Sequence, residues 1–247
     1  MLFAYILIGI IQGLTEFLPV SSSGHVVLAT KWLGLNVDTM FLTIVVHLGT
    51  LLAVVFVYRK KLWQMIKHPF TKYNFKIVVA SLVTLICYLI FGNLAESAFD
   101  GRFLKYGFLL SAIILIVSDL KKPSFKPVGW GNAITIGLAQ GLALFPAVSR
   151  SGMTICAGVL TGVNREEAAD FSFLLSIPII LGSSILEFGN IAAISGGQLL
   201  PLVCAFVFAF ISGVLAIKIM LKAIKKAKLY YFALYLIILA IVLIALG

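Results

Sequence analysis

The chain has 247 residues, 62% of them apolar and 11% charged, and its mean hydropathy is +1.13. A soluble domain is about 45–50% apolar and about 25% charged. A fold of this size has too little interior to hide such an excess, so a soluble globular protein and a disordered one are both excluded. The 19 Lys and Arg against 9 Asp and Glu, net +10, fit basic loops on one side of a membrane rather than a nucleic-acid partner.

The first ten residues, MLFAYILIGI, carry no cation, and the first one is Lys31. The start therefore reads as retained structure rather than a cleaved signal. Residues 1–34 are apolar but broken by SSSGH at 21–25, which leaves a second arm too short to cross about 30 Å of hydrocarbon. This pattern predicts a re-entrant helix–loop–helix hairpin whose tip lies in protein or in a polar cavity. Spanning helices are predicted over Met40–Tyr58, Phe75–Phe91 and Leu104–Ser118. Between the first two, residues 59–76 mix cations with Trp63, Phe70 and Tyr73, as an interfacial segment or a plain basic loop would. A second hairpin is predicted over 131–163, broken by SRSG at 149–152. Spans follow over Ala168–Leu186, Leu199–Met220 and Tyr230–Leu246. Cys87, Cys156 and Cys204 all lie in apolar segments without a CxxC spacing, which argues against a disulfide framework or a structural zinc site.

The two hairpins are copies. GIIQGLTEFLPVSSSG at 9–24 aligns without gaps to GLAQGLALFPAVSRSG at 137–152, with nine of 16 positions identical and an offset of 128. The same offset nearly overlays the first three spans on the last three. The expected architecture is an all-α integral membrane fold in one domain, 1–247. It is an inverted-topology repeat of six transmembrane helices plus two re-entrant hairpins, with residues 1–119 as the first copy and 131–247 as the second. Three crossings per copy is an odd number, so the second copy is upside down and the hairpin tips meet near the midplane. Fifteen cations fall on one side and three on the other, Arg150 at a tip set aside. By the positive-inside rule both termini and the mouth of the first hairpin then face outward.

Ionisable groups at membrane depth are expensive and hence functional candidates. Gln12 and Glu16 share a helix face, and Ser21, Ser22, Ser23, Gly24 and His25 follow at the tip. The second tip carries Ser149, Arg150, Ser151 and Gly152. Each tip opens a short helix whose N-terminal N–H groups favour an anion. Between the copies Glu16 corresponds to Leu144, His25 to Met153 and Ser22 to Arg150, so acid/base groups persist in one copy and the cation in the other. Joined, they form equipment for phosphoryl transfer. Ser and Gly at such junctions also serve as caps and turns, but their duplication together with Glu, His and Arg favours chemistry. His47, opposite Leu175 in the second copy, reads as a helix–helix hydrogen-bonding residue. Gln140 reads as support for the second hairpin. Asp38, Glu96, Asp100, Asp119, Asp170 and Glu187 lie near span ends and read as solvated.

At these residues the chain resembles the undecaprenyl-diphosphate phosphatases of the BacA type. QGLTEFLPVSSSGH is similar to the family's (E/Q)xxxE and PVSS-x-GH motifs, and FPAVSRSGMTI to its second signature. The resemblance covers nearly the whole chain. It implies a plasma-membrane hydrolase that takes one phosphate from undecaprenyl diphosphate, regenerates the monophosphate carrier for envelope polymers and lowers sensitivity to bacitracin. It carries over to Gln12, Glu16, Ser21, Ser22, His25, Ser149, Arg150 and Ser151, with Thr154 close by. On this reading Glu16, Ser22, His25 and Arg150 are catalytic. Gln12, Ser21, Ser23, Ser149, Ser151, Gly152 and Thr154 bind the polyprenyl diphosphate. Glu16 is a general base or holds a divalent cation, Mg2+ or Ca2+. Serine, water and His25 all stand as nucleophile. A type-2 lipid acid phosphatase is excluded, because it needs a downstream histidine and the chain has none after His68. A polyprenyl-phosphate transporter or flippase, or a protein that does both, fits the same architecture.

Overall fold

The computed structural model describes residues 2–34, 39–98, 103–188, 199–226 and 228–245. Asp38, Asp100 and Arg102 lie outside the described residues, as does the side chain of Glu187. Among the described residues ten helices follow in order: α1 (Leu2–Phe17), α2 (Ser22–Trp32), α3 (Thr39–Lys67), α4 (Lys72–Ser97), α5 (Leu104–Asp119), α6 (Trp130–Leu142), α7 (Arg150–Leu160), α8 (Arg165–Phe188), α9 (Leu199–Lys225) and α10 (Tyr230–Ala245). The described residues form no β-strand, only an isolated bridge between Lys126 and Val163.

Both expected hairpins are helix–loop–helix segments, α1 with α2 and α6 with α7. α2 and α7 are 11 residues each, about 16 Å of helix, and each is capped by the serine that the repeat aligns. Ser21 Oγ accepts from Gly24 N at 3.5 Å and Ser149 Oγ from Gly152 N at 3.1 Å. The tips differ in where they bend. The left-handed residue is Ser21 (φ 67°) in the first and Ala147 (φ 61°) in the second, a conformation that costs a non-glycine residue about 1 kcal/mol or more.

Among the described residues four helical segments are long and apolar enough to cross a membrane: Phe41–Lys67, Lys72–Ser97, Arg165–Leu186 and Leu199–Lys225. α5 and α10 match the other two expected spans to within one residue at each end. α5 and α10 are 16 residues each, about 24 Å, shorter than an average hydrocarbon core. The basic stretch 59–76 is helical except for a turn at 68–71. Lys and Arg are good helix formers, and α3 runs on through them to Lys67 until Pro69, which cannot continue a helix. Thr71 then caps α4, accepting from Asn74 N at 3.2 Å, while Asn74 Nδ2 donates to the carbonyls of Met65, His68 and Pro69, each at 3.1 Å.

Helix packing pairs the two halves crosswise. α1 packs on α9 as α6 packs on α4, α3 on α9 as α8 on α4, and α3 meets α8 as α5 meets α10. The contacts are backbone-close. A Cβ on Gly9 would overlap the Ala205 carbonyl, and one on Gly137 would lie 2.6 Å from that of Ala80. Hydrogen bonds repeat the exchange: Ser212 Oγ donates to Gly9 O at 3.5 Å and Thr84 Oγ1 to Gly137 O at 3.1 Å. Each partner is 128 residues from its counterpart. Gln140 Nε2 donates to Thr84 Oγ1 at 2.9 Å, so it supports the second hairpin as expected.

One end of the bundle collects the ionic groups. Lys61 on α3 pairs with Asp170 on α8 at 3.1 Å, Arg165 on α8 with Asp119 on α5 at 3.0 Å, and Lys225 on α9 with Glu166 on α8 at 3.0 Å. Asp119 also accepts from Tyr230 N at 2.8 Å, and Asp170 from the Tyr58 hydroxyl at 2.7 Å. Asp119 and Asp170 are therefore not solvated span ends, because each lies at a contact between helices distant in sequence. Glu96 is exposed, as expected.

Candidate active site

Glu16 sits at the end of α1 with its side chain 6% exposed, too deep for an unpaired carboxylate. Three helices satisfy it. Gln12, one turn earlier, donates its Nε2 to Oε2 at 3.0 Å. Ser22, the first residue of α2, donates its hydroxyl to the same oxygen at 2.6 Å. Arg150, the first residue of α7, donates NH2 to Oε1 at 2.5 Å. The carboxylate of one hairpin and the guanidinium of the other are thus one buried ion pair, 134 residues apart.

The second tip is locked to the first. Ser151 Oγ donates to Leu18 O at 3.0 Å. Ser149 N donates to Ser111 Oγ at 2.9 Å, and Ser111 in turn reaches Ala147 O at 3.5 Å. In each knot the first and third serine hydroxyls lie 3.3 Å apart: Ser21 with Ser23, and Ser149 with Ser151. Thr154 bonds the hydroxyl of Ser172 at 2.6 Å, and Arg150 NH1 reaches Ser172 O at 3.4 Å. Ser172 on α8 thus steadies the arginine, which sequence alone did not indicate. The first N–H groups of α2 and α7 have no acceptor within their own helices.

The two histidines exchange places relative to expectation. His47 lies beside the carboxylate: Nδ1 faces Thr43 O at 2.8 Å and Nε2 is 3.7 Å from Glu16 Oε2. An ionisable residue inside an apolar span was the signal for it. His25 makes its contacts on another flank, with Nδ1 against Ser21 O at 2.7 Å and Nε2 against the Tyr235 hydroxyl at 2.6 Å. Gln12, Glu16, Ser22, Arg150 and Thr154 are brought into one connected network, whereas His25 joins it through the backbone of Ser21.

Glu16 is the only carboxylate in the network, and its oxygens already accept from Arg150, Ser22 and Gln12. Gln12 Oε1 is buried without a partner, which leaves one acceptor facing inward. Among the described residues no group of three or more His, Cys, Asp or Glu could hold an ion, so a divalent cation here would have Glu16 as its carboxylate and would depend on phosphate oxygens of the substrate.

Fold and site together define a multi-pass helical membrane protein. Its buried polar centre joins a carboxylate, a guanidinium, hydroxyls and two helix N-termini, and such a centre is suited to a phosphorylated group. The family model described as bacitracin resistance protein BacA matches residues 5–242. A protein of Carboxydothermus hydrogenoformans named undecaprenyl-diphosphatase is 39% identical over 99% of this chain and 97% of its own length. Proteins of the same name from Halothermothrix orenii and Christiangramia forsetii are each 38% identical, over 100% and 95% of this chain and 98% and 94% of their own lengths. The chain belongs to the BacA family.

Proposed function

We propose that the chain is an undecaprenyl-diphosphatase, a membrane hydrolase that releases the terminal phosphate of undecaprenyl diphosphate and returns the monophosphate carrier to envelope synthesis. Reduced sensitivity to bacitracin follows if the diphosphate is consumed. The observation that carries the reading is the short Ser22–Glu16 contact with Arg150 on the other carboxylate oxygen. A hydroxyl hydrogen-bonded to a base is an activated nucleophile. In our reading Ser22 Oγ attacks the terminal phosphorus and its proton passes to Glu16. The bond to the bridging oxygen then breaks and the lipid monophosphate leaves. Water hydrolyses the phosphoserine, and Ser22 recovers the proton. Arg150 and the N-termini of α2 and α7 hold phosphate oxygens, with His25 beside the first tip as proton carrier and Gln12, Ser21, Ser23, Ser149, Ser151, Gly152 and Thr154 lining the place. A Mg2+ or Ca2+ ion, where used, enters on the diphosphate, with Glu16 as its carboxylate.

The architecture we infer is two inverted copies, 1–119 and 131–247, in a plasma membrane, with α5 and α10 as short spans and both termini outside. The crosswise helix pairing and the exchange-related bonds of Thr84 and Ser212 support it. Cysteine-accessibility labelling should find the mouths of the two hairpins on opposite faces; entry of residues 9–24 and 137–152 from the same face would sink the inverted repeat. A polyprenyl-phosphate carrier would use the same pocket for binding alone. Detergent micelles have no second compartment, so a carrier gives no product there. We expect the purified protein to release inorganic phosphate from the diphosphate in detergent, assayed with and without chelator. Absence of release in both would favour the carrier.

A further inference from the structure

We propose that Tyr235 is a positioning residue for His25, its hydroxyl fixing the tautomer and orientation of the imidazole from the last helix of the fold. The proposal rests on the hydrolase reading above only for its effect on turnover.

His25 Nδ1 lies 2.7 Å from the Ser21 carbonyl and Nε2 lies 2.6 Å from Tyr235 Oη. A carbonyl only accepts, so Nδ1 carries the proton. In the neutral imidazole Nε2 is then a lone pair, to which the tyrosine hydroxyl donates. The rings stack with centroids 5.6 Å apart and 16° between planes, and Phe108 closes the opposite side edge-on at 5.5 Å. The imidazole is held on three sides by groups from three elements: the Ser21 tip, α5 and α10. Ser21 is itself the left-handed residue at φ 67° that caps α2, so the orientation of His25 and the shape of the tip are one unit.

Tyr235 would otherwise be hard to explain. It is 46% exposed on an apolar helix whose neighbouring outward residues are Leu234, Ile238 and Ile241. A hydroxyl at membrane depth without a partner is costly. The repeat sharpens the point. Subtracting 128 from Tyr235 gives Gly107, and adding 128 to His25 gives Met153. Both members of the pair therefore change together between the halves. At Gly107 the helix instead backs directly onto the Pro146 carbonyl, where a Cβ would not fit. One copy uses this place for close backbone packing and the other for a tyrosine–histidine bond.

Tyr235→Phe keeps the ring stack and removes the hydroxyl alone. In detergent, with undecaprenyl diphosphate as substrate, it should lower kcat about tenfold, the size of one lost hydrogen bond, with KM within about twofold. In a His25→Ala background the same substitution should have no further effect. 15N NMR of histidine-labelled protein, with the His25 signals assigned by their loss in His25→Ala, should show a single Nδ1-protonated tautomer in the parent and a tautomer mixture in Tyr235→Phe. Unchanged His25 signals in Tyr235→Phe would overturn the proposal, as would an equal loss of kcat with and without His25. Should the parent release no phosphate, the hydrolase reading fails while the NMR comparison still decides the Tyr235–His25 bond.

Discussion

Arg150→Ala should reduce phosphate release by about a thousandfold, the cost of removing a main charge-stabilising donor from a preorganised site. It should also lower the thermal midpoint in detergent. The guanidinium is the counter-charge of a carboxylate that is 6% exposed, and stranding one member of a buried pair costs about 3–5 kcal/mol. The double substitution Glu16→Gln with Arg150→Met should therefore be more stable than Arg150→Ala and equally inactive. Arg150→Lys keeps a charge but loses the forked reach to Glu16 and the Ser172 carbonyl, and should fall between. Turnover and thermal midpoint measured on the same preparations check all three. An Arg150→Ala protein with near-normal turnover would remove the residue from the catalytic set.

Ser22→Ala should be the second severe loss. Ser22 is the hydroxyl hydrogen-bonded to Glu16 at 2.6 Å, and removing a nucleophile typically leaves only the contribution of binding and charge stabilisation. We expect a fall of at least about a thousandfold in kcat with little change in KM. Acid quenching during turnover of diphosphate labelled in its terminal phosphate should trap label on the parent protein and none on Ser22→Ala. Substantial residual turnover without trapped label would point to direct attack by water, with Ser22 as a binding hydroxyl.

The parts of this account legible in the sequence were those encoded locally or by repetition. The 128-residue offset exposed both hairpins, and their Ser/Gly knots marked the caps, because a cap is chosen by residues three apart. The Glu16–Arg150 pairing followed from the same symmetry, since only a shared pocket can satisfy both charges at membrane depth. What needed three dimensions were contacts between elements that the repeat does not relate. His47 has no counterpart in the second copy, and its approach to Glu16 depends on how α3 lies against α1. Tyr235 is 210 residues from His25 in a stretch that reads as lipid-facing. Asp119 and Asp170 looked like solvated ends until Arg165, Tyr58 and Lys61 were placed beside them. The run of cations after Tyr58 reads as an interfacial segment or a basic loop, and Lys and Arg, which propagate a helix well, carry α3 through it until Pro69.

In the proposed mechanism one pocket, shared by the two hairpins, hydrolyses a lipid diphosphate. The most direct measurement is release of inorganic phosphate from undecaprenyl diphosphate by the purified protein and by its Glu16→Gln variant, side by side in detergent, with the lipid product identified. One phosphate and one undecaprenyl phosphate are expected for each diphosphate consumed by the parent. A rate at least about a hundredfold lower is expected for Glu16→Gln, the span of a lost general base. Unchanged diphosphate in the parent reaction, or equal rates for the two proteins, would contradict that mechanism.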